Sequence, residues 1–179
     1  MKTQVITPIT FTVPDLIKRI VLAASVGVLL VAADMPARAA PSGSFVPTGS
    51  LAGGGRVVHP AVRLPDGRVF VVGGIDAQPA GTVSSEIYDP SSGIWSVSGS
   101  MGTARVNNTA NVLPDGRVLV MGGGNGVPIY NSTEIWDPTT GEFTPGPPMN
   151  VVRAYHQSIA LRDGRILVVG GISTAKSVG

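Results

Sequence analysis

The chain has 179 residues, no cysteine, 24 glycines, 15 prolines and only 13% charged residues. The missing cysteine excludes disulfides, thiolate metal sites and a cysteine nucleophile together. The formal charge of +2 sits in the leader: with four basic and two acidic residues before Ala40 set aside, nine of each remain, and with no run of like charges a nucleic-acid partner has no electrostatic footing.

Residues 1–39 read as an export signal with a helical core. Lys18-Arg19 precede a fourteen-residue apolar run, Ile20 to Ala33, whereas a membrane-spanning helix needs roughly 20 residues. Ala37-Arg38-Ala39 supplies a small-x-small cleavage pattern, so cleavage is expected before Ala40. The alternative is an uncleaved anchor. Either way the mature part, 40–179, is expected to be exported, to the periplasm or outside the cell, with no membrane span once the signal is removed.

That part is a repeat. Leu64-Pro65-Asp66-Gly67-Arg68-Val69-Phe70-Val71-Val72-Gly73-Gly74 returns as Leu113 to Gly123 and as Leu161 to Gly171, with Asp-Gly pairs at 66, 115 and 163. Steps of 49 and 48 residues mean repeated supersecondary units, here about 52–101, 102–149 and an incomplete 150–179. High glycine and proline suit short strands joined by turns. A leading strand, d, is predicted in Ser44 to Leu51, which aligns with Trp95 to Met101 and Phe143 to Met149. In the first unit strand a is predicted over Val57 to Leu64 and strand b over Arg68 to Val72. Strand c follows at Ser85 to Tyr88. Asp89-Pro90-Ser91-Ser92-Gly93 forms a turn, and strand d runs from Ile94 to Val97. The second unit repeats this with Thr133 to Trp136 as c, Asp137 to Gly141 as turn and Glu142 to Thr144 as d. The third stops after strand b with a polar tail.

The apolar strand ending in Gly-Gly, the aromatic in Ile87-Tyr88-Asp89-Pro90 and Trp95 six residues before Met101 resemble the kelch repeat. The second copy, with Gly122-Gly123, Trp136-Asp137-Pro138, Phe143 and Met149, agrees. The resemblance implies four-stranded antiparallel blades of a β-propeller. The expected fold is therefore all-β: a partial kelch-type propeller of two complete blades, a leading d strand and a trailing a–b hairpin. Strands such as Val69-Phe70-Val71-Val72 are apolar on both faces and must be sandwiched between like sheets. Propellers close with roughly 4–8 blades, so two readings follow. Either further blades come from a longer chain, or several copies self-associate into a ring.

Strands alternate in direction, so the b–c loops and d–a crossings share one face, where ligand contacts are expected. The candidate ligand-binding residues there are Asp76, Gln78, Arg105, Asn125, Tyr130, Arg153, Tyr155 and His156. Arg56, Arg105 and Arg153 recur in step with the unit, as do His59, Asn108 and His156 three residues on. Recurrence favours arginines bonded to carbonyls or to Glu86 and Glu134 over an anion grip. It likewise favours hydrogen-bonded structural histidines over metal ligands. Asp66, Asp115 and Asp163 are turn formers. No catalytic residue and no metal site is assigned, and Gly122-Gly123-Gly124-Asn125-Gly126 lacks the helix and Lys-Ser/Thr of a phosphate cradle.

Arg153-Ala154-Tyr155-His156-Gln157-Ser158 also resembles the stretch of galactose-oxidase-type copper radical enzymes that supplies adjacent Tyr and His ligands. That resemblance implies copper, but the family also needs a second His and a Tyr cross-linked to Cys, and no Cys is present. No cofactor is expected. The functional expectation is an exported propeller fragment acting as a non-catalytic scaffold for a protein or carbohydrate ligand. The alternatives are the N-terminal part of a galactose-oxidase-like copper radical oxidase, or a truncated product without activity.

Overall fold

The computed structural model describes residues 4–6, 45–77, 80–125, 128–173 and 176–177. The expected signal helix and Gln78 lie outside the described residues. Two units are resolved by packing, one of residues 4–47 and one containing residues 48–179. In the first, β1 (Gln4–Ile6) pairs antiparallel with β2 (Phe45–Pro47). The strand expected to lead the repeat is thus present at Phe45–Pro47, with β1 as its partner. Among the described residues no helix is long and apolar enough to cross a membrane.

The second unit carries two four-stranded antiparallel sheets in simple up-and-down order. The first holds β3 (Ala61–Arg63), β4 (Val69–Val72), β5 (Ser84–Asp89) and β6 (Ile94–Ser100). The second holds β7 (Thr109–Val112), β8 (Val118–Met121), β9 (Thr133–Trp136) and β10 (Phe143–Gly146). A third begins with β11 (Gln157–Ala160) and β12 (Ile166–Val169), which pair with each other. After it, β13 (Ile172–Ser173) pairs antiparallel with β14 (Lys176–Ser177).

Short-range chemistry sets the turns. In each Asp-Gly-Arg the aspartate accepts the backbone N–H two residues on and the Nε of the same arginine, at 3.0 and 2.8 Å for Asp66 and Arg68. Asp115 with Arg117 and Asp163 with Arg165 repeat this geometry. Gly67 between them takes φ +92°, a conformation costly for residues with a Cβ. The other turn is an Asx turn: Ser91 donates N–H and Oγ–H to Asp89, and Thr139 does the same to Asp137.

Strand a is shorter than predicted. Val58 adopts φ +51°, which breaks the extended run, so Val57 forms only an isolated bridge to Ile75 before β3 starts at Ala61. Strand d of the first sheet is longer than predicted and runs to Ser100. There a bulge shifts the β5–β6 register, and Gly99 lies against the carbonyl of Gly141, where a Cβ would collide with backbone.

The core lies between the first two sheets. Leu64, Phe70, Val72, Ile87 and Met101 meet Val118, Val120 and Trp136, with Phe143 packed against them. β3 neighbours β7, and β7 neighbours β11, so the a strands of successive repeats stand side by side. This is the face-to-face stacking of like sheets that apolar side chains on both faces of a strand demand.

Candidate functional site

Each repeat enters its a strand through the same short passage: Arg56-Val57-Val58-His59, Arg105-Val106-Asn107-Asn108 and Arg153-Ala154-Tyr155-His156. The third residue of each is left-handed, with φ of 51°, 54° and 59° for Val58, Asn107 and Tyr155. These are the only non-glycine residues with positive φ among those described. Backbone bonds between repeats hold them there. Asn107 N–H donates to the Val58 carbonyl and Tyr155 N–H to the Asn107 carbonyl, each at 3.1 Å. The strain is thus maintained by the stacking of repeats.

The first residue of each passage anchors it. The Arg56 guanidinium donates to the carbonyls of Gly73 and Ser84, to the Ser84 hydroxyl and to Glu86 at 2.7 Å. Arg105 makes the same set with Gly122, Ser132 and Glu134. The carboxylates in turn accept backbone N–H groups of the d–a crossing, from Ala52 and Gly53 for Glu86 and from Gly102 for Glu134. Arg105 also lies over the Tyr130 ring, 5.5 Å from its centroid. With both arginines buried and so engaged, this part of the face is a built support.

The fourth residue of each passage backs the strand entry. His59, Asn108 and His156 pack their Cβ atoms against Gly74, Gly123 and Gly171, the second glycine of each Gly-Gly pair. A Cβ on any of the three would also fall within 2.6 Å of a backbone carbonyl, which is why the pair is glycine. His156 is 2% exposed, and its Nε2 hydrogen-bonds the Thr109 hydroxyl at 2.8 Å. Burial, and secondarily the Arg56 charge, hold the His59 imidazole below its ordinary pKa. Burial and Arg153 do the same to His156. Both rings are therefore neutral at physiological pH.

Between these passages the three strand entries enclose an open recess of about 440 Å³. Tyr155, 64% exposed, stands at it. His59, Asn107, Thr109, Gln157 and Ser158 supply neutral polar groups, and among the described residues no Asp, Glu, Lys or Arg lines it. Asn108, buried beneath, has neither end of its amide partnered among the described residues.

Of the residues singled out from sequence, the recess gathers Tyr155 and His156. Arg105 and Tyr130 lie together in the support, and Arg153 donates to the Gly170 carbonyl at 2.7 Å. Asp76 is half-buried and Asn125 exposed, in the b–c loops of the first and second repeats. Asn107, Thr109, Gln157 and Ser158 were not singled out. The register of His59, Asn108 and His156 marks the right ring of positions, and their immediate neighbours line the recess.

The adjacent Tyr155 and His156 do not converge on a common point for a metal. Tyr155 is exposed, while His156 is buried with Nε2 on Thr109 and Nδ1 enclosed. The described residues hold no group of three His, Cys, Asp or Glu placed to hold a metal ion. The described residues do not fit a copper centre.

A family model described as Kelch motif matches residues 56–102 and 105–150. Among solved structures the chain is similar to a fungal alcohol oxidase of the AA5 family, determined in complex with copper. The TM-score is 0.64 and the identity 24%, over 73% of this chain and 30% of the oxidase. The chain thus spans less than a third of that structure's length, and at this identity the likeness is one of fold. No curated protein matches.

Proposed function

Because the chain belongs to the kelch-repeat family, we propose that it is an exported propeller scaffold that binds a neutral carbohydrate, without catalysis, in the recess at the three strand entries. The observation that carries this reading is Tyr155, an exposed aromatic ring held on a left-handed residue above a lining of uncharged donors and acceptors. An aromatic surface with a polar tip offers apolar area to a sugar ring. Asn107, Thr109, Gln157 and Ser158 offer hydrogen bonds to hydroxyl groups. A lining without charge favours a polyhydroxylated ligand over an acidic or basic peptide. Non-glycine backbone strain is concentrated at this one place, as it is at many binding sites.

The test is a glycan array probed with the whole chain, followed by calorimetry on the best hit. Tyr155→Ala is expected to weaken binding at least about tenfold while the circular dichroism spectrum stays unchanged. Equal binding by Tyr155→Ala, or capture of a protein ligand with no glycan bound, would overturn the carbohydrate reading.

A second reading rests on the fold shared with the copper-bound oxidase, in which this chain forms part of a copper radical oxidase. The orientation of His156 argues against it. Copper measured in purified chain by mass spectrometry separates the two, since stoichiometric copper is expected only for the oxidase.

A further inference from the structure

The third residues of the three strand-entry passages stand in a row. Asn107 N–H donates to the Val58 carbonyl and Tyr155 N–H to the Asn107 carbonyl, so the order across the recess is Val58, Asn107, Tyr155. Neighbouring hydrogen-bonded backbones lie about 5 Å apart, and two such steps set Val58 and Tyr155 about 10 Å from each other. A single sugar ring does not bridge that distance. All three residues line the recess. All three are left-handed, so each offers its side chain from an equivalent backbone position.

The row is graded in chemistry. One end is apolar: Val58 is 45% exposed, and Pro60 and Ala61 line the recess with it. The other end carries the exposed Tyr155 ring. The middle is polar, with Asn107 and Thr109 at the recess and the Asn108 amide beneath. The His156 ring has the Thr109 hydroxyl as its partner. Asn108 holds the corresponding place one repeat earlier, but there the counterpart of Thr109 is Pro60, which has no hydroxyl. Both ends of the Asn108 amide are unpartnered among the described residues. The middle of the row thus keeps hydrogen-bonding capacity that the protein itself does not use.

We propose that the ligand is a linear neutral oligosaccharide laid along this row, with one sugar unit over each of the three repeats. This rests on the carbohydrate reading of the same recess and adds the length and direction of the ligand. A pyranose ring carries C–H groups on its faces and hydroxyls around its edge. The Tyr155 ring and the Val58 methyl groups suit faces, and the Asn107 carboxamide, both donor and acceptor, suits the hydroxyl edge of the middle unit. Each added unit up to the third gains a contact of its own, and a fourth lies beyond the row.

The probes are glucose and the di-, tri- and tetrasaccharides of the cello and malto series, titrated into the whole chain by calorimetry. In at least one series affinity is expected to rise at least about tenfold from glucose to the trisaccharide and to level off at the tetrasaccharide. Val58→Gly keeps the left-handed backbone and is expected to reduce the gain from disaccharide to trisaccharide at least about threefold. Should that variant fail to fold, Val58→Asn takes its place, since Asn107 already occupies the matching position. Equal affinity for glucose and the trisaccharide, both weakened by Tyr155→Ala, overturns the extended ligand and leaves the carbohydrate reading standing. A length gain that neither Val58 variant reduces overturns it as well. No binding in either series also overturns it, and the glycan array then decides the carbohydrate reading on its own.

Discussion

The ring of Phe70 stacks on the indole of Trp136 with centroids 4.3 Å apart and planes 24° from parallel. One belongs to strand b of the first sheet and the other to strand c of the second. Both are almost fully buried. The Trp136 Nε1–H reaches further, to the Ser98 hydroxyl on β6. This pair of side chains sits at the centre of the packing that joins the first repeat to the second.

Removing that contact should be costly. Phe70→Ala is expected to destabilise the chain by about 3–5 kcal/mol, from lost burial plus the cavity left behind. Trp136→Phe keeps a ring but loses the bond to Ser98, and should cost less. Urea denaturation of the three proteins gives the order, and Phe70→Leu substitutes if the alanine variant does not fold.

The pair of Arg105 and Glu134 is buried, with an N···O distance of 3.1 Å. Arg105→Met leaves Glu134 and two carbonyls short of a donor, and should cost about 3–5 kcal/mol. The double variant Arg105→Met, Glu134→Gln should cost less than the sum of the single changes, because each single change strands the partner. A double-mutant cycle measures the coupling.

Val58 is a β-branched residue at φ +51°, where asparagine is better tolerated. Asn107 already fills the matching position in the second repeat. Val58 is 45% exposed and has little packing to lose. Val58→Asn is expected to stabilise the chain by about 0.5–1 kcal/mol, seen as a higher melting temperature.

Acid should loosen the structure before any aspartate titrates. His59 and His156 are both held below the ordinary value of 6.5. The unfolded chain then takes up protons that the folded chain does not, so stability is fully present above about pH 6.5 and declines as pH falls below it. The turn aspartates, lowered from 3.8 by their hydrogen bonds, act only in stronger acid. Exchanging both histidines for asparagine, as at Asn108, should flatten the melting temperature between pH 7 and pH 5.

The period and the turns were legible because each rests on local chemistry. Asp66-Gly67-Arg68 carries its own hydrogen bonds, and Gly73-Gly74 answers to carbonyls that recur at a fixed distance along the chain. The pairing of arginine with Glu86 and Glu134 could be read for the same reason, since both partners repeat. What no residue type marks stayed hidden. Nothing in a valine announces the left-handed turn at Val58, which its neighbour in the next repeat imposes. Gln157 and Ser158 line the recess through their place at a strand entry, and residue type alone does not mark them. The pairing of Phe45–Pro47 with Gln4–Ile6 joins segments about forty residues apart, which no local pattern encodes.

The Gly74 N–H bonds to the carbonyl of Arg105, and the Gly123 N–H to that of Arg153. Each of these two amides is closed by the repeat that comes after it, so protection against solvent deuterium is conferred backwards along the chain. Gly74 and Gly123 should label slowly, and loosening one repeat should hasten labelling in the repeat before it.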